Sequence, residues 1–401
     1  MIYIFSATNE LEIANGLHSY TPAKHLRDFA EDLAFLPYYF CVDGDTLLIE
    51  NHATEDFIDR ISAIHRCNIT QTALSRAILS LKNKTPEPLE AWGWSPKMHH
   101  QLASVKPLCQ LPKRFQKWQS IDKEVYSRAF ALKILQDILV HHSDRRCYLP
   151  ETELPKKAFS KEEVHAFFEE HGDIVVKTPY SSSGRGMIFL HTDKIHDTYN
   201  HWIEGALKQQ EFLMVEKKME KLYDLSLHFR VDAKEISYLG AASFFTMENG
   251  QYEGNYLEAI PEDMDHDLKE FVSTHTPLIV SDLKEAFERN LLRDRYHGII
   301  GVDVLLYRAP NGELRFQPCL EMNMRYNMGT VTLALRSCLG EGVKGFWKVA
   351  RLGKGDPIAF DQKMQALYPV ELDDSGKLKK GYVPLIEPSP CRKFACYLQM
   401  Q

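Results

Sequence analysis

The chain has 401 residues, 26% charged and 44% hydrophobic, an ordinary globular composition long enough for two or three domains with a sizeable core. Its 48 Lys and Arg against 55 Asp and Glu leave a net charge of −7, so there is no basic field to hold nucleic acid or an anionic membrane. Eight scattered cysteines with no C-x-x-C pair argue against a zinc site or a disulfide framework. They fit reduced thiols; the N-terminus has no cationic stretch, and no segment approaches the roughly 18 apolar residues of a membrane span. The expected location is the cytoplasm.

In chain order, residues 2–5 predict a short buried strand, Phe35–Val42 and Thr46–Ile49 two more, and Pro22–Leu33 and Glu55–Leu81 helical segments. Together they predict a small α/β domain over 1–115. Lys84–Pro96, with Pro86 and Pro88, reads as a boundary or extended linker. Asp122 opens a strong helix, DKEVYSRAFALKILQDILVHH. Ser160 and Glu163 then have the spacing of a capping box for a helix ending near Gly172. Strands follow at Ile174–Lys177, Met187–Leu190 and Phe212–Glu216, with a helix at His196–Lys208. Two long strands, Leu225–Asp232 and Glu235–Thr246, face each other across a polar turn. A helix at Leu278–Leu292, the strand Gly298–Tyr307, the turn Pro310–Gly312, the strand Leu314–Met322 and a helix from about Thr330 come next. The predicted lobes are 116–210 and 211–352, with 353–401 a turn-rich tail packing on the core.

Two motifs carry chemistry. In the first, a buried strand delivers Lys177, and a loop with Ser181, Ser182, Ser183, Gly184, Arg185 and Gly186 leads into the next strand. The glycines let backbone N–H groups approach polyphosphate, and the lysine supplies a point charge; the bland alternative is a flexible hairpin with an exposed lysine. The loop is neither a P-loop nor a dinucleotide fingerprint. In the second, Asp303 lies in an apolar strand, and Glu321 and Asn323, two residues apart, share one face of its hairpin partner. Two carboxylates and an amide oxygen suit Mg²⁺. The alternative is the wet face of a hairpin, although charged residues inside strands usually need a partner.

The order strand–Lys177–Ser/Gly loop–strand, then Val215-Glu216, then Gly301-Val-Asp303, then Leu320-Glu-Met-Asn323, resembles the ATP-grasp superfamily over about residues 120–335. The resemblance implies an α/β protein with two α+β lobes, an ATP-grasp fold preceded by a small α/β N-terminal domain. It implies ATP and Mg²⁺ (or Mn²⁺) as cofactors. Lys177 would meet the α/β phosphates under the 181–186 loop. Val215, Glu216 and Lys217 would form the adenine hinge, with Met219 against the ring, and Asp224 would hold the ribose. Asp303, Glu321 and Asn323 would be the metal ligands. Lys123 resembles the family's first phosphate lysine, with Arg128 or Lys133 as alternatives. Arg325 and Asn327 would meet the acyl phosphate or substrate, and Arg230 is a weaker candidate. An ordinary first-turn lysine at 123 and a surface salt bridge at 325 are the bland readings of those two positions.

The implied reaction is phosphoryl transfer from ATP to a carboxylate, then attack by an amine, with Lys177 and Arg325 as the catalytic groups. The partners would be a small-molecule or peptide carboxylate and an amine, on a possible homodimer. A small-molecule kinase on the same fold, or a nucleotide-binding protein without turnover, are the alternatives. The pairs His99-His100 and His141-His142 lack metal spacing, and Trp92-Gly-Trp94 reads as packing.

Overall fold

The computed structural model describes the chain except residues 63, 66, 113–114, 143–144, 182–183, 185, 192–195, 247–251, 263 and 354. Three sheets organise it. The first holds β1 (Ile2–Ile4), β2 (Thr46–Leu48), β3 (Thr70–Thr72) and β4 (Leu89–Ala91), all parallel in the order β3-β2-β1-β4. The second holds β5 (Lys156–Ala158), β6 (Ile174–Lys177), β7 (Met187–Leu190) and β8 (Leu213–Lys217), antiparallel in the order β5-β8-β6-β7.

The third contains β9 (Glu220–Val231), β10 (Ile236–Thr246), β11 (Tyr252–Tyr256), β12 (Gly298–Arg308), β13 (Leu314–Asn323), β14 (Gly345–Arg351), β15 (Glu371–Leu372), β16 (Leu378–Pro384) and β17 (Phe394–Met400). Its order is β13-β12-β9-β10-β11-β14-β17-β16-β15.

Several expectations need correction. Phe35–Val42 is not a strand; Leu36–Phe40 forms a 3-10 helix with Pro37 in its first turn, where a missing N–H costs nothing. Glu55–Leu81 breaks into a helix Glu55–Ser62, the strand β3 and a short helix Ala77–Leu81. The supposed linker contains β4, which pairs with β1: the prolines flank a three-residue strand rather than end a domain. The helix opened by Asp122 stops at Val125 and restarts at Arg128, because Ser127 turns extended and its hydroxyl caps Ala129 N–H. Helix 278–292 is the second half of His266–Arg289. β8 pairs with β5 and β6 in the second sheet.

The tail is the largest surprise. β16 and β17 extend the main sheet through β14, and Trp347 and Leu398 are fully buried with Tyr3, Phe35 and Leu47 of the first domain. Residues from both ends of the chain therefore share one core. A second core packs the helices Arg128–His141 and His266–Arg289 against β9, β12 and β13. Among the described residues, no helix is long and apolar enough to cross a membrane.

Candidate active site

A cleft of about 1160 Å³ lies where the three sheets meet. The second sheet reaches it with Val175, Lys177, Met187, Phe189 and Glu216, and the main sheet with Asp224, Ser226, Asp303, Glu321 and Asn323. Only Lys218 and Met219 separate β8 from β9, so the connection between the two sheets lines the cleft itself. In the β6–β8 pair Val175 lies opposite Glu216, which puts Val175, Lys177 and Glu216 on one face by strand alternation. Lys177 and Glu216 form an ion pair there, both about nine-tenths buried.

Lys177 leads into the loop, which closes on itself through Thr178 N–H donating to Gly186 O at 2.8 Å. Gly186 has φ +69°, and a Cβ there would lie 2.4 Å from Thr178 Oγ1, so this position requires glycine on two counts. Ser181 is buried, and its hydroxyl accepts from Arg128 at 2.6 Å. Ser182, Ser183 and Arg185 lie outside the described residues.

Asp303 pairs directly with Glu321 across β12–β13 and with Ser226 across β12–β9. Its Oδ1 accepts from the Ser226 hydroxyl at 2.9 Å and its Oδ2 from Asn323 Nδ2 at 3.1 Å. Burial and the facing Glu321 carboxylate push the Asp303 carboxyl up to about 7. Glu321 is instead compensated by Arg128, whose guanidinium donates to both carboxylate oxygens at 2.8 and 2.9 Å. The other terminal nitrogen of Arg128 donates to Thr178 O at 2.6 Å and to Ser181. Arg128 thus ties the loop to the carboxylate pair. Asp224 is raised by burial, with Lys221 at 2.7 Å opposing the shift.

The pairing of Asp303 with Glu321 depends on irregularity in β13. Arg308 pairs with Leu314 and Leu305 with Gln317, a register that continued unbroken would place Cys319 opposite Asp303. Two extra residues around Pro318 move Glu321 into that position. Core side chains fall at 316, 319, 322 and 324, and cleft side chains at 317, 320, 321 and 323, so Leu320 and Glu321 both reach the cleft. Proline lacks the N–H a regular ladder would need there, which fits a bulge.

No protein-family model and no curated protein matches the chain. Solved structures do. The ADP complex of an N5-carboxyaminoimidazole ribonucleotide synthetase superposes with a TM-score of 0.50 at 12% identity, covering 100% of this chain and 92% of that one. The chain has the ATP-grasp fold. A biotin carboxylase–nucleotide complex from Campylobacter jejuni gives 0.49 at 12% identity over 100% of this chain and 87% of that one. The Staphylococcus aureus N5-carboxyaminoimidazole synthetase with ADP gives 0.48 at 13% over 100% and 92%.

On this ATP-grasp fold, Lys177, Gly184, Glu216, Lys217, Met219, Asp224, Asp303, Glu321, Asn323, Arg325 and Asn327 all line the one cleft. Val215 is buried behind it in the second sheet's core, and the Lys217 ammonium turns to Glu153 at 3.1 Å. Lys123 is not brought to the cleft: its ammonium lies 3.4 Å from Ala14 O and 4.8 Å from the Tyr180 ring centre. Lys133 sits over Phe130, and of the three cations considered only Arg128 lines the cleft. Arg230 is also elsewhere, paired with Glu90 of the first sheet at 2.6 Å. Asn327 caps the helix Met328–Arg336; its Oδ1 accepts from Thr330 N–H at 3.0 Å and from His228 Nε2 at 2.9 Å. Arg325 donates to Glu10 and, at 3.0 Å, to Asn323 Oδ1. Sequence reasoning missed Ser226 and the apolar walls Val175, Met187, Phe189 and Leu320. The alternation of the strands carrying Lys177 and Asp224 was a signal for Val175 and Ser226; Leu320 had none, because the bulge sets its direction.

Proposed function

We propose that this protein is an ATP-dependent carboxylate–amine ligase of the ATP-grasp type, acting in the cytoplasm on a small-molecule or peptide acid. One observation carries the reading: Lys177, Arg128, Gly184, Asp224 and the set Asp303, Glu321 and Asn323 line one cleft, and Arg128 ties Ser181 to Glu321. A cation, a loop of backbone donors and an all-oxygen carboxylate set together are what transfer of a phosphoryl group requires. The ADP complex with the same fold supports ATP as the donor.

The base would lie between Val175, Met187 and Phe189 on one side and Met219 and Leu320 on the other, with the ribose on Asp224. Lys177 and Arg128 would hold the phosphates, so Arg128 takes the part the sequence assigned first to Lys123. Asp303, Glu321 and Asn323 fit Mg²⁺ by donor chemistry, and the ion would supply neutralisation of charge on the phosphate oxygens. Arg325, on the same strand end as Asn323, would bind the activated carboxylate through its planar fork. Closure of the two sheets on substrate would exclude water from the acyl phosphate. Homodimer assembly belongs to the same proposal.

The test is thermal unfolding with and without Mg–ATP on the wild type, Lys177→Ala and Glu321→Ala. Ligand at 100 times its Kd stabilises by about 2.7 kcal/mol. A shift in the wild type that both variants lose supports the site; no shift in folded wild type rejects it. ADP release dependent on an acid and an amine, with an amide product, then separates ligase from kinase and from a protein without turnover.

A further inference from the structure

The cleft is larger than a nucleotide needs. Its volume of about 1160 Å³ exceeds the ~300–1,000 Å³ of a single small-molecule site. The surplus is walled by the helix Lys24–Asp32 of the first domain and by the ends of β14 and β17, none of which the nucleotide residues use. Arg351 lies opposite Phe394 in the β14–β17 register, so the two share a face, and Val349 joins them two residues earlier. Phe394 meets Phe29 of the helix edge to face, with ring centres 5.1 Å apart at 85°. Asp32 fastens this corner by accepting the backbone N–H of Lys393 at 2.7 Å and of Phe394 at 3.1 Å. It is a built wall, joining the two ends of the chain.

Its charge is unbalanced. Lys24 and Lys393 share one carboxylate, Asp28, and Glu253 is engaged by Lys348 at 3.3 Å. Among the described residues, no carboxylate lies within ion-pair distance of Arg351, which is exposed on the cleft. Lys24, Lys393 and Arg351 therefore face two acids, Asp28 and Asp32, beside two phenyl rings, and Asp32 is taken up by backbone N–H groups. From Asp303 on β12 to Arg351 on β14 there are four strand spacings, on the order of 19 Å across the sheet at ~4.8 Å each. The Asp303 row crosses β14 near Gly345, so Arg351 lies on the order of 20 Å further along the strand as well.

We propose that this corner binds an oxyanion, carboxylate or phosphate, at the end of an apolar or aromatic body whose other end reacts beside Asp303 and Arg325. Arg351 is the anion-binding residue, and Phe29 and Phe394 pack on the body. The substrate is thus elongated, with an anionic group remote from its reacting one. The inference rests on the ligase reading for the reacting end alone.

The experiment is calorimetric titration of the full chain, with saturating Mg–ADP present, using phenyl phosphate, phenylacetate, inorganic phosphate and benzyl alcohol. At least one phenyl anion should bind wild type more tightly than inorganic phosphate, and benzyl alcohol should not bind. Whichever phenyl anion is preferred tells phosphate from carboxylate. Arg351→Gln should weaken that binding about tenfold or more, because it removes a charge-assisted contact, and Arg351→Lys should retain most of it. Absence of binding by both phenyl anions, or equal binding by Arg351→Gln and wild type, overturns the proposal. Mg–ADP affinity, titrated separately and unchanged in Arg351→Gln, judges the nucleotide site on its own.

Discussion

Replacing Arg128 by leucine removes the cation that balances Glu321 and leaves a largely buried carboxylate facing Asp303. In the protein, the Arg128 guanidinium is 7% exposed and the Glu321 side chain 21%, joined by two bonds of 2.8 and 2.9 Å. Breaking such a pair from one side costs about 3–5 kcal/mol, because the remaining charge keeps its desolvation penalty. Glu321 retains some water, so the lower end, about 3 kcal/mol, applies. For a cooperative unit of ~150–250 residues that is a fall in melting temperature of roughly 6–12 °C. Removing both partners in Arg128→Leu/Glu321→Leu takes away the stranded charge and should recover most of the loss. Magnesium without nucleotide should raise the melting temperature of Arg128→Leu more than that of the wild type, since the ion replaces the missing charge. The assay is scanning calorimetry on the three proteins, with and without Mg²⁺. A double variant no more stable than Arg128→Leu would refute the argument.

Three further perturbations follow from the geometry. Gly301→Ala would put a Cβ 2.0 Å from Asn327 Nδ2, so it should destabilise by about 1–3 kcal/mol in calorimetry, and an unchanged melting temperature would contradict the packing. His228 is fully buried and held down to about 4 by burial, against about 6.5 unfolded. Between those values the unfolded chain binds the extra proton, so stability is complete above about pH 6.5 and falls as pH drops towards 4. The loss at pH 5 is about 2 kcal/mol, measured as the difference in pH slope of melting between wild type and His228→Gln. Trp347→Ala empties a fully buried site shared by both ends of the chain and should cost about 3–5 kcal/mol, with unfolding of the first domain and the C-terminal strands in one step. Separate transitions would show that the shared core does not couple them.

The lobe that carries Lys177 was legible because its elements announce themselves locally. Ser160 caps its helix by accepting Glu163 N–H, and β6 and β7 fall at the residues their apolar runs predict. Asp303, Glu321 and Asn323 were legible as a set for a similar reason: polar residues inside apolar strands demand a common destination. What failed was non-local. β4 is three residues long among prolines, and only its pairing with β1 makes it a strand. The C-terminal strands depend on β14 for their place in the sheet, and no local pattern reports that. Lys123 and Arg128 are five residues apart near the same helix start. Which of them reaches the cleft is decided by the break at Ser127, where the hydroxyl competes with the backbone for a hydrogen bond.

The two extra residues in β13 have a consequence for how such a site can change. Adding or removing one residue in a strand exchanges its faces, which would send Glu321 into the core. Removing two of residues 318–320 would keep the faces and restore a regular ladder, with Gln317 still opposite Leu305 and Glu321 still opposite Asp303. What the extra residues add is Leu320 beside Glu321 in the cleft. The carboxylate pair can therefore persist without the bulge, while the apolar wall next to it cannot.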